Sequence, residues 1–359
     1  MNKIHNPLGA PGSLNVSDIY WEKKIDGKRM YDVPVVSQAI NHQAKEIWNQ
    51  YFLLLFLRFH LCNRITRRKK DLYKNAYVFY KYLFPKDDLL DKAKLLELLI
   101  GNPYIIKNTI KVDTHGIGVI KDAFNYAYLI KNHKNDLTTL ILLLNVNVCP
   151  YCGRSFTTTV IKDGRSYIRT CQIDHFYPQS KYPWLALSLW NMIPSCGFCN
   201  NQKSANEKPI LYPYQDEIGD MYRFQTHPVK SLDYLVGAIG SEEDFSVSLD
   251  PVIKRSDPPN LSKYEEQIEN EIEMFKINEL YSTHNYFVAN IFRQRYIFGT
   301  PYIDDLVSSF QNNLFYTRED VRAMMYLRRI DAESIGTYPL DKLTRDIDHE
   351  IDLLEDQGN

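Results

Sequence analysis

The chain has 359 residues, of which 44% are hydrophobic and 24% are charged, and its formal net charge at pH 7 is −1. That length predicts two or three compact units, and the composition is typical of a globular protein and excludes a disordered or fibrous chain. The near-zero net charge excludes a polybasic nucleic-acid binder, so any attraction to a polyanion must come from local patches.

Cysteine usage and hydropathy predict a cytoplasmic location without a membrane partner. Four of the six cysteines form two CxxC pairs, which suit a metal ion better than a disulfide framework and indicate a reducing compartment. The N-terminal residues Met1–Gly12 contain no apolar signal core. The most apolar run, Tyr51–Leu57, is too short to span a bilayer, so we interpret it as part of a buried helix.

The region before the first CxxC pair is predicted to be helical. Residues 1–33 have no clear period and predict an irregular lead-in. Apolar residues then recur at helical spacing from Val35 to about Cys62, in Leu89–Leu99 and over residues 119–144, the last of these ending in an apolar helix at 137–144. We therefore expect several helices ahead of the central segment.

A basic cluster follows the first predicted helix. It extends from Arg64 to Lys81, and its densest part is Arg67, Arg68, Lys69 and Lys70. Most such runs form a solvated helix face, and the other interpretation is contact with phosphate groups. Phosphate contact would make binding fall steeply with salt concentration, and the sequence leaves both interpretations open.

The two CxxC pairs, Cys149/Cys152 and Cys196/Cys199, predict one structural zinc site. Four thiolates satisfy the tetrahedral preference of zinc, and metal binding contributes about 10–16 kcal/mol in small zinc modules, which could hold a marginal segment together. The alternatives are unrelated hairpin thiols or a redox CxxC, but a redox motif would occur alone. Cys171 lies outside both pairs and is interpreted as a small buried side chain.

Four polar residues lie between or directly after the cysteine pairs. Asp174 and His175 close a run from Ser166 that is typical of a strand, Asn191 precedes a second strand-like run, and Asn200 follows the last cysteine. Taken singly, His175 could be a packed histidine and Asn200 a helix N-cap. Their order between two cysteine pairs favours a catalytic site instead.

These residue types suit phosphodiester hydrolysis. That reaction needs an activated water, charge neutralisation on the phosphate and stabilisation of the leaving oxygen. An imidazole is largely neutral at cellular pH and can act as the base, and a carboxylate with an amide carbonyl provides the oxygen ligands that magnesium prefers. We therefore expect single-metal cleavage that leaves 5′-phosphate and 3′-hydroxyl ends.

The segment resembles the HNH, or ββα-metal, endonuclease family in its zinc-knuckle form, over about 60 residues from the first CxxC pair onward. The resemblance implies that His175 activates the attacking water and that Asp174 and Asn200 bind the catalytic metal. It also implies that Asn191 braces the loop that orients the histidine. Lys203 is similar to a lysine that contacts phosphate. Asparagine at the final position, where a histidine-rich branch has histidine, favours Mg²⁺ or Mn²⁺.

The region after the core is predicted to be mostly helical. A long helix is expected from about Leu261 to Phe298, followed by helices at 301–313 and 317–330. Arg293 and Arg295, near the end of the long helix, could contact DNA or simply stabilise the helix C-terminus. The acidic segment Asp346–Asp356 would repel DNA, so we expect it to be solvated or to face a partner.

Two C-terminal patterns, Leu280-Tyr281-x-x-His284 and the run Tyr338–Asp346, are similar to bacterial HNH proteins encoded beside an ATPase in anti-phage systems such as Septu. The resemblance implies an ATPase partner that restrains the nuclease. Assembly as a homo- or hetero-oligomer is compatible with it.

The predicted fold is mainly α with a small α+β insert. Helical residues 1–145 and mostly helical residues 213–359 flank a zinc-stapled ββα-metal HNH core at 146–212. The predicted function is metal-dependent endonuclease activity on DNA, with Zn²⁺ as structural ion, Mg²⁺ or Mn²⁺ as catalytic ion, and a role as effector of anti-phage defence. The alternatives are a ribonuclease with the same core and a zinc-stapled nucleic-acid-binding or scaffold protein without catalysis.

Overall fold

The computed structural model describes residues 60–86, 89–110, 112, 114–132, 138, 144, 146–162, 166–229, 245–252, 262–310, 315–328, 330–331 and 335–358. The predicted lead-in at 1–33 lies outside these residues. The same holds for almost all of the helix predicted from Val35 to Cys62 and for most of the one predicted at 137–144.

Short helices precede the first CxxC pair. They are α1 (Cys62–Arg67), α2 (Lys69–Asn75), α3 (Tyr77–Leu83), α4 (Lys92–Ile100), α5 (Pro103–Thr109), α6 (Thr114–Ala123) and α7 (Tyr126–Asn132). Local chemistry sets some of their ends. The Asp91 carboxylate accepts the first free amides of α4, and Asn102 caps α5, which has Pro103 at its first position.

Three antiparallel strand pairs are present in the described residues: β1 (Thr159–Lys162) with β2 (Ser166–Arg169), β3 (Gln172–His175) with β4 (Met192–Ser195), and β5 (Tyr222–Pro228) with β6 (Phe245–Pro251). The predicted single strand from Ser166 to Asp174-His175 is therefore two strands in different sheets. Helix α8 (Gly197–Lys203) follows β4 and contacts β3, which completes a ββα arrangement.

Aromatic residues that are distant in sequence pack against the segment that follows β3. Phe79 of α3 lies 5.9 Å from Phe124 and 6.3 Å from Trp184 between ring centroids. Trp184 belongs to a 3₁₀ turn, Pro183–Leu185, which is buried and also contacts α6. The early helices thus pack directly against the loop that leads from β3 to β4.

The C-terminal helices are α9 (Lys263–Met274), α10 (Ile277–Tyr281), α11 (Asn285–Ile297), α12 (Thr300–Phe310), α13 (Arg318–Tyr326) and α14 (Asp341–Gly358). The prediction of one helix from Leu261 to Phe298 is wrong. Lys276 is left-handed, with φ of 52°, and a residue in that conformation cannot continue a right-handed helix. The helices predicted at 301–313 and 317–330 correspond to α12 and α13.

The acidic segment Asp346–Asp356 lies on α14 and is not simply solvated. Asp346 accepts the backbone N–H of Phe224 at 3.0 Å, and Glu350, one turn later, accepts that of Thr226 at 3.2 Å. These two N–H groups belong to β5, so the carboxylates of α14 satisfy donors along the edge of the β5–β6 sheet.

The same helix carries a buried ion-pair network. Arg295, which is 2% exposed, donates to Asp348 at 2.8 Å and to Asp352 at 2.7 Å. Arg322 donates to the same two carboxylates at 3.0 and 2.8 Å, and Tyr326 donates to Asp348 at 2.6 Å. The suggestion that Arg295 contacts DNA is therefore wrong, because its guanidinium is occupied inside the fold.

The chain divides into two compact units. Residues 4–146 and 157–207 form the N-terminal unit, and 147–156 and 208–359 belong to the C-terminal unit. None of the helices in the described ranges combines the length and apolar character that a bilayer crossing requires.

Candidate active site

The four cysteines of the CxxC pairs form one cluster. The Sγ atoms of Cys149, Cys152, Cys196 and Cys199 all lie within 4.8 Å of one another, and three of the four residues are fully buried. Tetrahedral Zn²⁺ with bonds of about 2.3 Å separates its sulfur ligands by about 3.8 Å, so the cluster is compatible with that ion. None of the four forms a disulfide, and Cys171 lies outside the cluster.

Tight turns present the cysteines to one another. Gly153 donates its N–H to the Cys149 carbonyl at 2.8 Å and has φ of 61°, a left-handed conformation that glycine adopts without a steric penalty. At the second pair, Cys196 is the N-cap of α8 and its sulfur accepts the N–H of Cys199 at 3.5 Å. Asn200 is therefore inside the helix, and the N-cap interpretation of that residue is wrong.

Polar side chains of strand β3 and helix α8 contact one another at two positions. Gln172 accepts a hydrogen bond from the Asn200 side-chain amide at 2.7 Å. Asp174, two residues along the same strand face, lies 3.1 Å from the ammonium of Lys203, three residues along the helix. Gly197 allows this close packing, because a Cβ there would lie 3.2 Å from the Gln172 side chain.

The Lys203–Asp174 pair is almost fully excluded from water. The two side chains are 2% and 3% exposed, and the ammonium also donates to the carbonyl of His175 at 2.8 Å. Burial lowers the pKa of Lys203, and the neighbouring carboxylate of Asp174 opposes that shift. The structure thus places a cation directly on the carboxylate that the sequence assigns to a catalytic metal.

His175 is held at the end of β3 by two contacts. Its Nε2 lies 2.9 Å from the carbonyl of Ala186, and its ring meets Tyr126 edge to face with centroids 4.6 Å apart. A carbonyl can only accept, so Nε2 carries the proton and Nδ1 has a free lone pair in the neutral ring. Burial lowers the pKa of His175, which favours this neutral form, and 7% of the residue is exposed.

Asn191 ties the loop after His175 to the start of β4. Its carbonyl oxygen accepts the N–H of Tyr177 at 2.7 Å, and its amide donates to the carbonyls of Tyr177 and Leu185 at 3.0 and 3.1 Å. The residue is fully buried at the end of a 3₁₀ turn, Leu189–Asn191. These bonds fix both ends of the loop that carries the Ala186 carbonyl.

Asp174 and Asn200, the expected ligands, fit a hard divalent cation only in part. A carboxylate and an amide carbonyl are oxygen ligands of the type Mg²⁺ and Mn²⁺ take, and Asp174 and Asn200 lie on the facing surfaces of β3 and α8. The Lys203 ammonium neutralises Asp174 in this structure, so a cation bound by that carboxylate would have to replace it.

Sequence reasoning missed three partners of the site. Tyr126, the Ala186 carbonyl and Gln172 each contact one of the expected residues. Only Gln172 could have been identified from the sequence, because it lies two residues before Asp174 and therefore on the same face of the strand. The contact of Lys203 with phosphate stays a prediction, and its ammonium is engaged internally here.

Two cations of the basic cluster contact other side chains, and two are exposed. Arg68 lies 3.2 Å from Asp122, and Lys69 lies 5.6 Å from the ring centroid of Phe84. Arg67 and Lys70 are exposed. Their contact with phosphate remains a prediction.

The strand pair and helix carry the Asp-His pair and a buried lysine. Together with the four-cysteine cluster, they fit a zinc-knuckle HNH domain. Comparison with family models gives a corresponding result, because residues 149–206 match the family described as HNH endonuclease. The chain therefore contains an HNH domain, which covers all four cysteines and all the expected catalytic residues. Comparisons with curated proteins and with solved structures gave no match.

Proposed function

We propose that the chain is a metal-dependent endonuclease that hydrolyses DNA at the ββα site. The observation that carries the proposal is the hydrogen bond between His175 Nε2 and the Ala186 carbonyl, because it leaves Nδ1 as the basic nitrogen of the residue that directly follows Asp174. A neutral ring with one unprotonated nitrogen is the form that a general base requires.

In this mechanism His175 takes a proton from the attacking water at Nδ1. The new P–O bond forms as the bond from phosphorus to the 3′ oxygen breaks. The departing 3′ oxygen takes a proton from solvent water, which leaves a 5′-phosphate and a 3′-hydroxyl. Asn191 holds the loop that carries the Ala186 carbonyl and is therefore a positioning residue. The lowered pKa of His175 keeps the base neutral, so activity should persist at pH values below the ordinary histidine range.

Asp174 and the carbonyl oxygen of Asn200 would hold the catalytic Mg²⁺ or Mn²⁺. When bound, such an ion supplies charge neutralisation on the phosphate and stabilises the leaving oxygen. For Asp174 to serve as a ligand, the Lys203 ammonium would have to leave the carboxylate, and it would then be available to a phosphate oxygen. This sequence would reconcile the buried position of Lys203 with its expected contact with phosphate.

The test is cleavage of supercoiled plasmid with magnesium, manganese or no divalent ion. We expect His175→Ala to lower the rate by about 10²–10⁴-fold, while the zinc content and the fold persist. His227→Ala is the matched control, because this histidine lies on β5 and is paired with Asp250 outside the site. Cutting by His175→Ala at the wild-type rate would overturn the assignment.

A structured RNA substrate is tested in parallel. Cleavage of RNA but not plasmid by the wild-type chain would favour the ribonuclease alternative. Binding of both without cleavage would favour a zinc-stapled binding or scaffold protein. The proposal of a DNA nuclease requires plasmid cutting that depends on both the divalent ion and His175.

An ATPase partner and a role in anti-phage defence are further parts of the proposal, and they depend on the C-terminal sequence patterns. The described residues of those patterns also have internal roles: Tyr281 donates to the Cys152 carbonyl at 2.8 Å, and Asp346 accepts from β5. Co-purification from the native host, followed by a cleavage assay on the complex, tests this part. Recovery of the chain without any ATPase would contradict it.

A further inference from the structure

The strongest feature outside the ββα site is a mixed basic and aromatic face on helices α2 and α3. Residues 67–81 contain six lysines and arginines and only one acidic residue, in a chain whose net charge is −1. Lys70, Tyr73, Lys74, Tyr77 and Lys81 follow one another at short intervals, mostly of three or four residues, which is the spacing of one helix face. We refer to these five residues as the Tyr73–Tyr77 face.

The face is continuous across the break between the two helices. Ala76 interrupts the helix with φ of −144°, so spacing alone would not guarantee that residues on either side stay together. The rings of Tyr73 and Tyr77 nevertheless meet edge to face, with centroids 5.3 Å apart and planes at 84°. Both rings also contact Tyr80, which is buried beneath them.

The rings are exposed although the residues between them are in the core. Tyr73 and Tyr77 are 53% and 50% exposed, whereas Leu72 and Phe79 are fully buried. The inner side of these helices therefore supplies the packing, and the outer tyrosines are not needed to fill it. Exposed rings that adjoin one another form a contiguous apolar surface, which is a feature of interaction sites.

Cations lie next to the rings. The ammonium of Lys81 lies 5.8 Å from the Tyr77 ring centroid, and Lys70 and Lys74 flank Tyr73 in the sequence and are exposed. The one acid of the segment, Asp71, lies 4.0 Å from Arg68. Asp122 contacts Arg68 as well, so the nearby acids face Arg68 rather than the three lysines.

We infer that the Tyr73–Tyr77 face binds single-stranded nucleic acid. Bases stack on the two tyrosines, and the lysines contact the phosphates on either side. This combination is specific to unpaired strands, because the bases of a duplex are already stacked and cannot reach an aromatic ring. A surface that contacts only phosphates would need no exposed rings, and a surface for an apolar protein partner would gain nothing from three lysines.

The inference rests on the proposed nuclease function and deepens it, because it names the form of nucleic acid that the N-terminal helices hold. It predicts that the substrate contains an unpaired stretch outside or beside the cleavage position. Binding to this face does not require the catalytic ion, so it can be measured separately from cutting.

The experiment measures the fluorescence anisotropy of a labelled oligothymidylate of about 16 nucleotides and of a duplex of equal length, with the full chain and no added divalent ion. We expect the double variant Tyr73→Ala/Tyr77→Ala to weaken oligothymidylate binding by about tenfold or more and duplex binding by less than about twofold. The variant Tyr73→Phe/Tyr77→Phe keeps both rings and should keep the affinity.

Two controls separate stacking from other effects. Tyr104→Ala removes an exposed tyrosine of α5 outside the face and should leave binding unchanged. The triple variant Lys70→Gln/Lys74→Gln/Lys81→Gln should weaken oligothymidylate binding and make its salt slope shallower by about 0.7 for each phosphate that is no longer neutralised. Thermal melting of each variant checks that the fold persists.

Equal losses of affinity for single strand and duplex in the alanine variant would overturn the inference, and so would an unchanged affinity. Wild-type protein that binds neither probe would overturn it too, and would leave an acidic protein as the alternative partner. Failure of the nuclease proposal looks different, since plasmid cutting would then be absent or independent of His175 while tyrosine-dependent binding persisted.

Discussion

The buried ion pairs of the ββα site and of helix α14 differ in the number of partners that each cation has. Arg295 donates to three carboxylates, those of Asp348, Asp352 and Glu355, and two of these are shared with Arg322. Lys203 has one carboxylate, Asp174, and one backbone carbonyl. A network in which the cations share several carboxylates fixes one conformation. In a single ion pair, the carboxylate can exchange its ammonium for another cation.

The choice of side chain follows the same difference. A guanidinium is a rigid planar fork that can satisfy two carboxylates at once, and it suits a permanent connection between α11, α13 and α14. An ammonium is a compact charge on a flexible stem, and burial lowers its pKa. The arginine network therefore has the features of a structural pairing, and the single Lys203–Asp174 pair is compatible with the proposed catalytic site.

The largest expected effect comes from removing the metal that supports the ββα site. Cys196→Ser/Cys199→Ser should abolish stoichiometric zinc, because two of four thiolates are removed, and zinc binding in such modules is worth about 10–16 kcal/mol. Elemental analysis after dialysis measures the zinc, and hydrogen exchange should show reduced protection across β3, β4 and α8.

Cys171→Ser is the matched control for this experiment. Cys171 is also buried in the same sheet region but lies outside the cluster, and burial raises its pKa to about 11, so it is a protonated thiol at neutral pH. Its variant should retain one zinc per chain. Equal zinc loss in both variants would contradict the four-ligand assignment.

The second effect tests the arginine network. Arg295→Met should lower the free energy of unfolding by about 4 kcal/mol, because Asp348 and Asp352 lose a buried counter-charge. Urea denaturation measures the change. Arg318→Met is the control, since the Arg318–Asp304 pair is half exposed and should contribute less than about 1 kcal/mol.

Local pattern predicted the cysteine cluster and the HNH segment well, and the partners of the charged side chains poorly. The cysteine pairs and the Asp174-His175 step are readable because their meaning depends on spacing along the chain. The partners of Lys203, Arg295 and Phe224 lie 29, 53 and 122 residues away, so no local window contains them. Placing the acidic segment in solvent failed for this reason, since its counter-charges come from other helices.

The break at Lys276 had no sequence signal either. Neither glycine nor proline marks it, and the left-handed conformation occurs at a lysine between two helices. The preceding helix end buries Phe275, which stacks on Tyr151 with centroids 4.6 Å apart. Tertiary packing therefore coincides with a turn that residue preferences alone would not predict.

The third effect tests whether the single pair is exchangeable. Lys203→Met leaves the buried carboxylate of Asp174 without its ammonium, which should lower stability by roughly 3 kcal/mol when no divalent ion is present. Added Mn²⁺ should restore the stability and should bind more tightly than to wild type, because no ammonium competes for the carboxylate. Thermal melting and titration calorimetry measure the two effects.

Lys181→Met provides the control, because Lys181 pairs with Glu207 at the surface of the same unit. It should change neither stability nor Mn²⁺ affinity appreciably. If Lys203→Met bound Mn²⁺ no better than wild type and gained no stability from it, the pair would be as permanent as the arginine network.

The smallest effect concerns Glu350, the carboxylate of α14 that accepts hydrogen bonds from Thr226 of β5. Burial raises its pKa to about 7. The folded state then binds this proton more tightly than the unfolded state, so stability falls as pH rises from about 4.5 to 7, by about 2 kcal/mol. Glu350→Gln should remove that fall, whereas Glu266→Gln, an exposed change on α9, should not. Unfolding curves at pH 5 and pH 8 would contradict the assignment if the Glu350→Gln and wild-type proteins lost equal stability between them.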